Sequence, residues 1–297
     1  MLWAKRLGWA ESIAACERVA LSHGAVRIDV QGLDAHPAVL LIHGLSYPLE
    51  VWGPLTARLV AGGWRVIRYD LYGRGYSTWD ETPLSTEVLV QQACEVLDHV
   101  GETRPVQVVS MSNADLIACG LAASVPERVS GLSFVAPSGL DVRTMNSWTR
   151  WAGQSWFRGW IASWLPARLI RRMEDHASHL PHDAEPISHE AYAVAMHTVR
   201  HNPDFGPAAL SHLSHLPDDP SFMALLRELA NAETPVLGVH YKEESDATPE
   251  GVAMFNTQLP LLRVKEMERG THMGVLEHPA DLAQALQDAW GDSSTDP

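Results

Sequence analysis

From residue 25 onward, short β-rich apolar runs alternate with segments of helical period, and this alternation restricts the chain to few architectures. A helix after each strand returns the chain to the start of the next, so the strands lie mostly parallel and helices cover both faces of the sheet. The expected strands are 25–31, 37–43, 64–70, 105–110, 131–136, 235–240 and 261–267. Several of them, such as PAVLLIH and PVQVVS, are nearly continuous apolar runs, as strands covered on both faces must be. Between them, the segment from Ser85 places Val88, Leu89, Ala93, Val96, Leu97 and Val100 on one stripe, with Ser85 as N-cap and Gly101 past the end.

The alternation stops at residue 138 and resumes at 234. A stretch of that length is too long for a connecting loop, so 138–233 is expected to form a helical cap on a core built from 1–137 and 234–297. It holds five of the eleven tryptophans, Trp148, Trp151, Trp156, Trp160 and Trp164, at spacings that share a helix side. They either fasten the cap to the core or line an apolar pocket, and Trp151, Trp156 and Trp160 are candidate substrate contacts. Eight of the fifteen histidines also lie there, including His176, His179 and His182 beside Asp183, and His212 with His215. Without cysteines or a second carboxylate among them, no metal site is expected.

Composition narrows the function. Lys plus Arg number 22 against 36 Asp plus Glu, a net charge of −14, which disfavours nucleic acid and anionic lipid as partners. No apolar run is long enough to span a bilayer and no export signal is evident. Cys16, Cys94 and Cys119 are an odd number in apolar stretches, which fits reduced thiols and a cytoplasmic location. Residues 2–19 read as a short amphipathic helix carrying Trp3, Leu7, Ile13 and Val19, for packing or partner contact. The oligomeric state is open.

The chemistry concentrates in three places. In VQVVSMSNADLIACGLAA a strand ends near Ser110, a helix begins near Asn113, and Ser112 sits at the turn between them. A nucleophile at such an apex needs small residues two positions to either side, here Ser110 and Ala114 instead of glycines. In LLIHGLSYPLEVW a strand runs into His43-Gly44-Leu45, a turn that can aim the Leu45 N–H across the sheet top. With the Asn113 N–H it would make a two-donor oxyanion hole. Gly44 is included among the substrate-facing candidates. In ERGTHMGVLEHPADL, His272 lies in a polar loop after the last strand, where a general base belongs.

These stretches, together with VIRYDLYGRGYS, resemble the α/β-hydrolase superfamily over roughly residues 25–290, in particular its esterase-like and monoacylglycerol-lipase-like members. The resemblance implies Ser112 as nucleophile, His272 as base, the backbone of Leu45 and Asn113 as oxyanion hole, and a helical cap after the sixth core strand. It also implies an acid in the loop YKEESDATPE. Asp246 is the first choice there, because Asp is the more frequent orienter in the family, with Glu244 as the alternative and Asp141 next. Asp115 stands where relatives usually carry a small residue; it either complements the helix N-terminus or contacts substrate at a pocket rim.

The expected activity is hydrolysis, through an acyl-enzyme, of a carboxylic ester or related small-molecule acyl compound with an apolar portion, without cofactor. The altered elbow also admits C–C bond cleavage or a non-hydrolytic step, with Ser112 or His272 serving proton transfer. A non-catalytic ligand-binding protein is a third reading.

Overall fold

The alternation resolves into one sheet of eight strands in a computed structural model that describes residues 18–137, 151, 156–216, 224–229, 234–244, 259 and 261–291. The strands are β1 (Arg18–Leu21), β2 (Gly24–Gln31), β3 (Ala38–Ile42), β4 (Arg65–Tyr69), β5 (Val106–Met111), β6 (Val129–Val135), β7 (Val236–Tyr241) and β8 (Leu262–Met267). They lie in the order β1-β2-β4-β3-β5-β6-β7-β8. The β1–β2 and β2–β4 pairs are antiparallel and the rest are parallel. All the loops that follow β3 to β8 therefore open on one edge of the sheet.

Alternate residues of the central strands face opposite layers, as strand geometry requires. Leu40, Ile42, Val108 and Phe134 point to one layer, shared with Leu89, Val96, Leu97, Ile117 and Leu121. These come from α2 (Thr86–His99) and α3 (Asp115–Ser124). Val39, Leu41, Val109 and Val135 point to the other layer, with Leu55, Leu59, Leu282, Leu286 and Trp290. Those side chains come from α1 (Gly53–Ala61) and α8 (Pro279–Gly291). α2 begins as its sequence indicates, with the Ser85 hydroxyl accepting from the Val88 N–H.

Each expected strand is found within two residues of its sequence limits, and β1 is an addition. The amphipathic helix read over 2–19 does not reach its expected end, since Arg18 and Val19 pair with Arg27 and Val26. A two-residue turn at Ser22-His23 lets the chain fold onto the exposed edge of β2, whose unpaired backbone groups outweigh a weak helical period. The remainder of that segment, 2–17, lies outside the described residues.

Between β6 and β7 the described residues hold α4 (Arg158–Ser178), α5 (Pro186–His201) and α6 (Phe205–Ser214), and no strand. Their polar groups are tied to the loops at the open edge of the sheet. The Tyr47 hydroxyl meets His176 Nδ1 at 3.2 Å, and the Ser188 hydroxyl donates to the Leu276 carbonyl at 2.8 Å. The Asn202 amide donates to the carbonyls of Gly75 and Ser77, and the Trp79 N–H donates to Asp204 at 3.1 Å. Arg58 pairs with Glu185. The helices thus lie above the loops after β3 and β4 and against α7 (Gly274–Glu277).

Candidate active site

β5 delivers Ser112 through an abrupt change of backbone conformation. Met111 is still extended, Ser112 has φ 58°, and a 3-10 turn Ser112–Ala114 leads directly into α3. A non-glycine residue in the left-handed region stores strain that its surroundings must hold, a usual feature of nucleophile turns. The Asn113 N–H belongs to the first turn of this helical run, where amides have no intrahelical acceptor.

Gly44 is what lets the neighbouring loop come close. A Cβ at Gly44 would stand 3.2 Å from the Met111 carbonyl and 3.3 Å from Ser112 Cβ. The chain from Gly44 to Leu45 therefore packs directly on the Ser112 turn. His43 pins this loop from below. It is fully buried, its Nδ1 bonds the Gly44 carbonyl at 2.7 Å, and its Nε2 accepts from the Leu71 N–H at 2.9 Å. Burial lowers its pKa to about 4, so the ring is neutral with the proton on Nδ1.

The adjacent DLYGRGYS loop is organised by Asp70, which is fully buried. Its two oxygens accept from the N–H groups of Leu49 (2.8 Å) and Tyr76 (3.0 Å). At Gly75, φ is +54° and a Cβ would fall 2.1 Å from Asp70 Oδ2, so glycine is required for the carboxylate to sit there. Burial raises the pKa of Asp70, opposed by Arg27. Arg74, also fully buried, donates to the Tyr72 carbonyl at 2.7 Å and to His212 Nδ1 at 2.8 Å, joining this loop to α6. Burial lowers the Arg74 pKa to about 9 and holds His212 well below its ordinary value.

His272 and Glu244 come together from the loops after β8 and β7. His272 Nδ1 and Glu244 Oε1 are 2.7 Å apart, and the Glu244 side chain is only 2 % exposed. Ser112, His272 and Glu244 all follow parallel strands of the same sheet and emerge on its open edge. Asp246 and Asp141 lie outside the described residues.

Asp115 turns into the core. It is 1 % exposed, and its Oδ1 accepts from the Ser110 hydroxyl at 2.6 Å. Burial pushes its carboxyl well above the ordinary range, Ser110 opposes this, and the charge of Glu244 adds to it. The tryptophans turn the other way. Trp151, Trp156, Trp160 and Trp164 are 54, 91, 60 and 65 % exposed, so none fastens the helices to the core. The smaller Ala162, Ile170 and Met173 face inward from α4 instead, and the Trp spacing selects the opposite side. Trp148 lies outside the described residues.

Residue reading alone placed His43 only in the turn before Gly44 and His212 only among the histidines of 138–233, and it did not name Arg74. The available signal was position: a histidine directly before Gly44, and an arginine between two glycines after β4.

No curated protein sequence matches the chain significantly. Among solved structures, it is similar to a carboxylesterase of the thaumarchaeon Nitrososphaera gargenis, at 16 % identity and TM-score 0.70, over 94 % of this chain and 98 % of that one. A thermophilic esterase from Thermogutta terrifontis aligns at 18 % identity and TM-score 0.67, over 94 % and 100 % of the two chains. A bromoperoxidase from Bacillus anthracis aligns at 16 % identity and TM-score 0.72, over 94 % and 99 %. At these identities the likeness is one of fold. The family model described as the alpha/beta hydrolase family matches residues 39–285, and with that match over most of its length the chain belongs to the alpha/beta hydrolase family.

Proposed function

We propose that the protein is a serine hydrolase of carboxylic esters or related acyl compounds, working through an acyl-enzyme on Ser112. The observation that carries this reading is the hydrogen bond from the His272 ring to a buried Glu244 carboxylate, on the same sheet edge as the strained Ser112 turn. A carboxylate on Nδ1 holds the tautomer in which Nε2 is basic and stabilises the imidazolium once it forms. Ser112 Oγ attacks the acyl carbon while His272 Nε2 takes its proton. The oxyanion is held by the N–H groups of Leu45 and Asn113, preorganised by Gly44 packing and by the His43 pin. His272 then gives the proton to the leaving alcohol, and water repeats the sequence to release the acid.

In this reading the acid is Glu244, α4 to α6 form the cap, and the Ser110–Asp115 pair supports the turn without touching substrate. Incubation with a fluorophosphonate probe, followed by peptide mapping, tests the reading. Covalent modification at Ser112 that disappears in His272→Ala supports it. A folded protein that remains unlabelled and hydrolyses no short-chain aryl ester overturns it.

A further inference from the structure

The exposed tryptophans do not stand alone. From Trp156, just before α4, to Met173 within it, the chain carries four arginines, Arg158, Arg168, Arg171 and Arg172, and no carboxylate, in a protein of net charge −14. At helical spacing, Trp160, Trp164, Arg168 and Arg171 share one side, the side away from Ala162, Ile170 and Met173. All four are exposed. Acidic residues, Glu174 and Asp175, enter only in the last turns of α4, where the exposed Asp175 ends the cationic stripe one turn beyond Arg171. The aromatic rings cluster in two groups along this stretch. Trp160 and Trp164 lie 4.8 Å apart, and Trp156 and Trp151 each meet Phe157, at 4.5 and 5.6 Å.

An exposed group of this size calls for a partner, since each aromatic side chain withholds about 150–250 Å² from burial when left in water. Indole rings beside guanidinium groups on one helix side match the headgroup layer of a bilayer. There the ring body reaches the acyl boundary, the N–H stays among polar groups, and arginine meets lipid phosphate. A symmetric contact between two copies would set this cationic stripe against itself, with no carboxylate on it from 156 to 173 to compensate. We infer that the Trp156–Arg171 face of α4 is a docking surface for anionic lipid membranes, on which the helix lies flat without crossing. No described helix is long and apolar enough to cross. The overall negative charge leaves this stripe as the locally attractive patch and orients the molecule with α4 toward the membrane. The His176–Tyr47 contact ties the other end of the helix to the loop that follows Gly44 and Leu45. The inference rests on surface chemistry and stands apart from the proposed hydrolysis.

The test is flotation of the full-length protein with vesicles of phosphatidylcholine alone or of phosphatidylcholine and phosphatidylglycerol in equal parts. Wild-type protein is expected to float with the anionic vesicles only, and to be released as salt shortens the range of the attraction. Arg168→Gln/Arg171→Gln should weaken partitioning about 30-fold, taking the usual contribution of each basic residue near an anionic surface. Trp156→Ala/Trp160→Ala/Trp164→Ala should abolish flotation. Because these side chains are exposed, both variants should keep the wild-type Tm. Absence of wild-type binding, equal binding to both vesicle types, or binding that survives both variants overturns the inference. So does a wild-type dimer that the Trp variant dissociates in the absence of any vesicle binding.

Discussion

The Ser110 hydroxyl and the Asp115 carboxylate meet at 2.6 Å inside the core, directly beneath the turn that carries Ser112. Two departures from the small residues usual at these positions are therefore one interaction. A carboxyl buried at the start of α3 needs a donor, and the residue two before Ser112 supplies it. Ser110→Gly should cost about 1–3 kcal/mol, the penalty for leaving a buried polar group unsatisfied. Ser110→Gly/Asp115→Gly should recover part of that loss. Urea denaturation of the singles and the double measures the coupling, and strictly additive effects would remove the pairing from the account of stability.

Glu244→Gln should lower kcat by about two to four orders of magnitude with little change in KM, because under the proposed mechanism it removes the carboxylate that orients His272 and stabilises its imidazolium. Asp246→Asn should leave kcat within a few-fold. Steady-state kinetics on one aryl ester decide the matter, and the opposite ranking would transfer the role to Asp246.

Ser112→Ala and His272→Ala should each reduce kcat by several orders of magnitude, with the double variant hardly worse than either, since under the proposed mechanism the two groups act as a unit. Losses that multiply would show that the residues act separately.

His43 predicts a pH dependence of stability. Its folded pKa, about 4, lies below its ordinary 6.5, so between these values the unfolded chain binds a proton that the folded chain refuses. Stability from this group is complete above pH 6.5, falls as the pH drops toward 4, and amounts to about 3 kcal/mol over the window. The raised carboxyls of Asp70 and Glu50 titrate with the opposite sign, so the informative quantity is a difference between proteins. Denaturation midpoints of wild type and His43→Gln, compared from pH 7 to 4, should show the flatter dependence in the variant. Parallel curves would mean that His43 titrates alike in the folded and unfolded chain, and a steeper dependence in the variant would mean that it is charged when folded.

Local pattern was enough to locate seven strands, the α2 helix with its Ser85 cap, the Ser112 turn and the His272 loop. Each is encoded by neighbours in sequence: period two, period three to four, small residues around an apex. The last stretch of the expected N-terminal helix went the other way because the edge of β2 supplies backbone partners that no local window contains. The contact of Glu244 with His272 was not legible either, because it depends on the reach of the loop after β7 toward a ring on the loop after β8, a distance set only when parallel strands close side by side. The direction of Asp115 and of the α4 tryptophans was likewise undetermined by sequence. Period assigns residues to a helix side, but burial of that side depends on what packs against it. For Asp115 it was the core beneath β5, with the Ser110 hydroxyl waiting. For Trp156, Trp160 and Trp164 the smaller Ala162, Ile170 and Met173 faced inward instead, and the indoles were left in solvent.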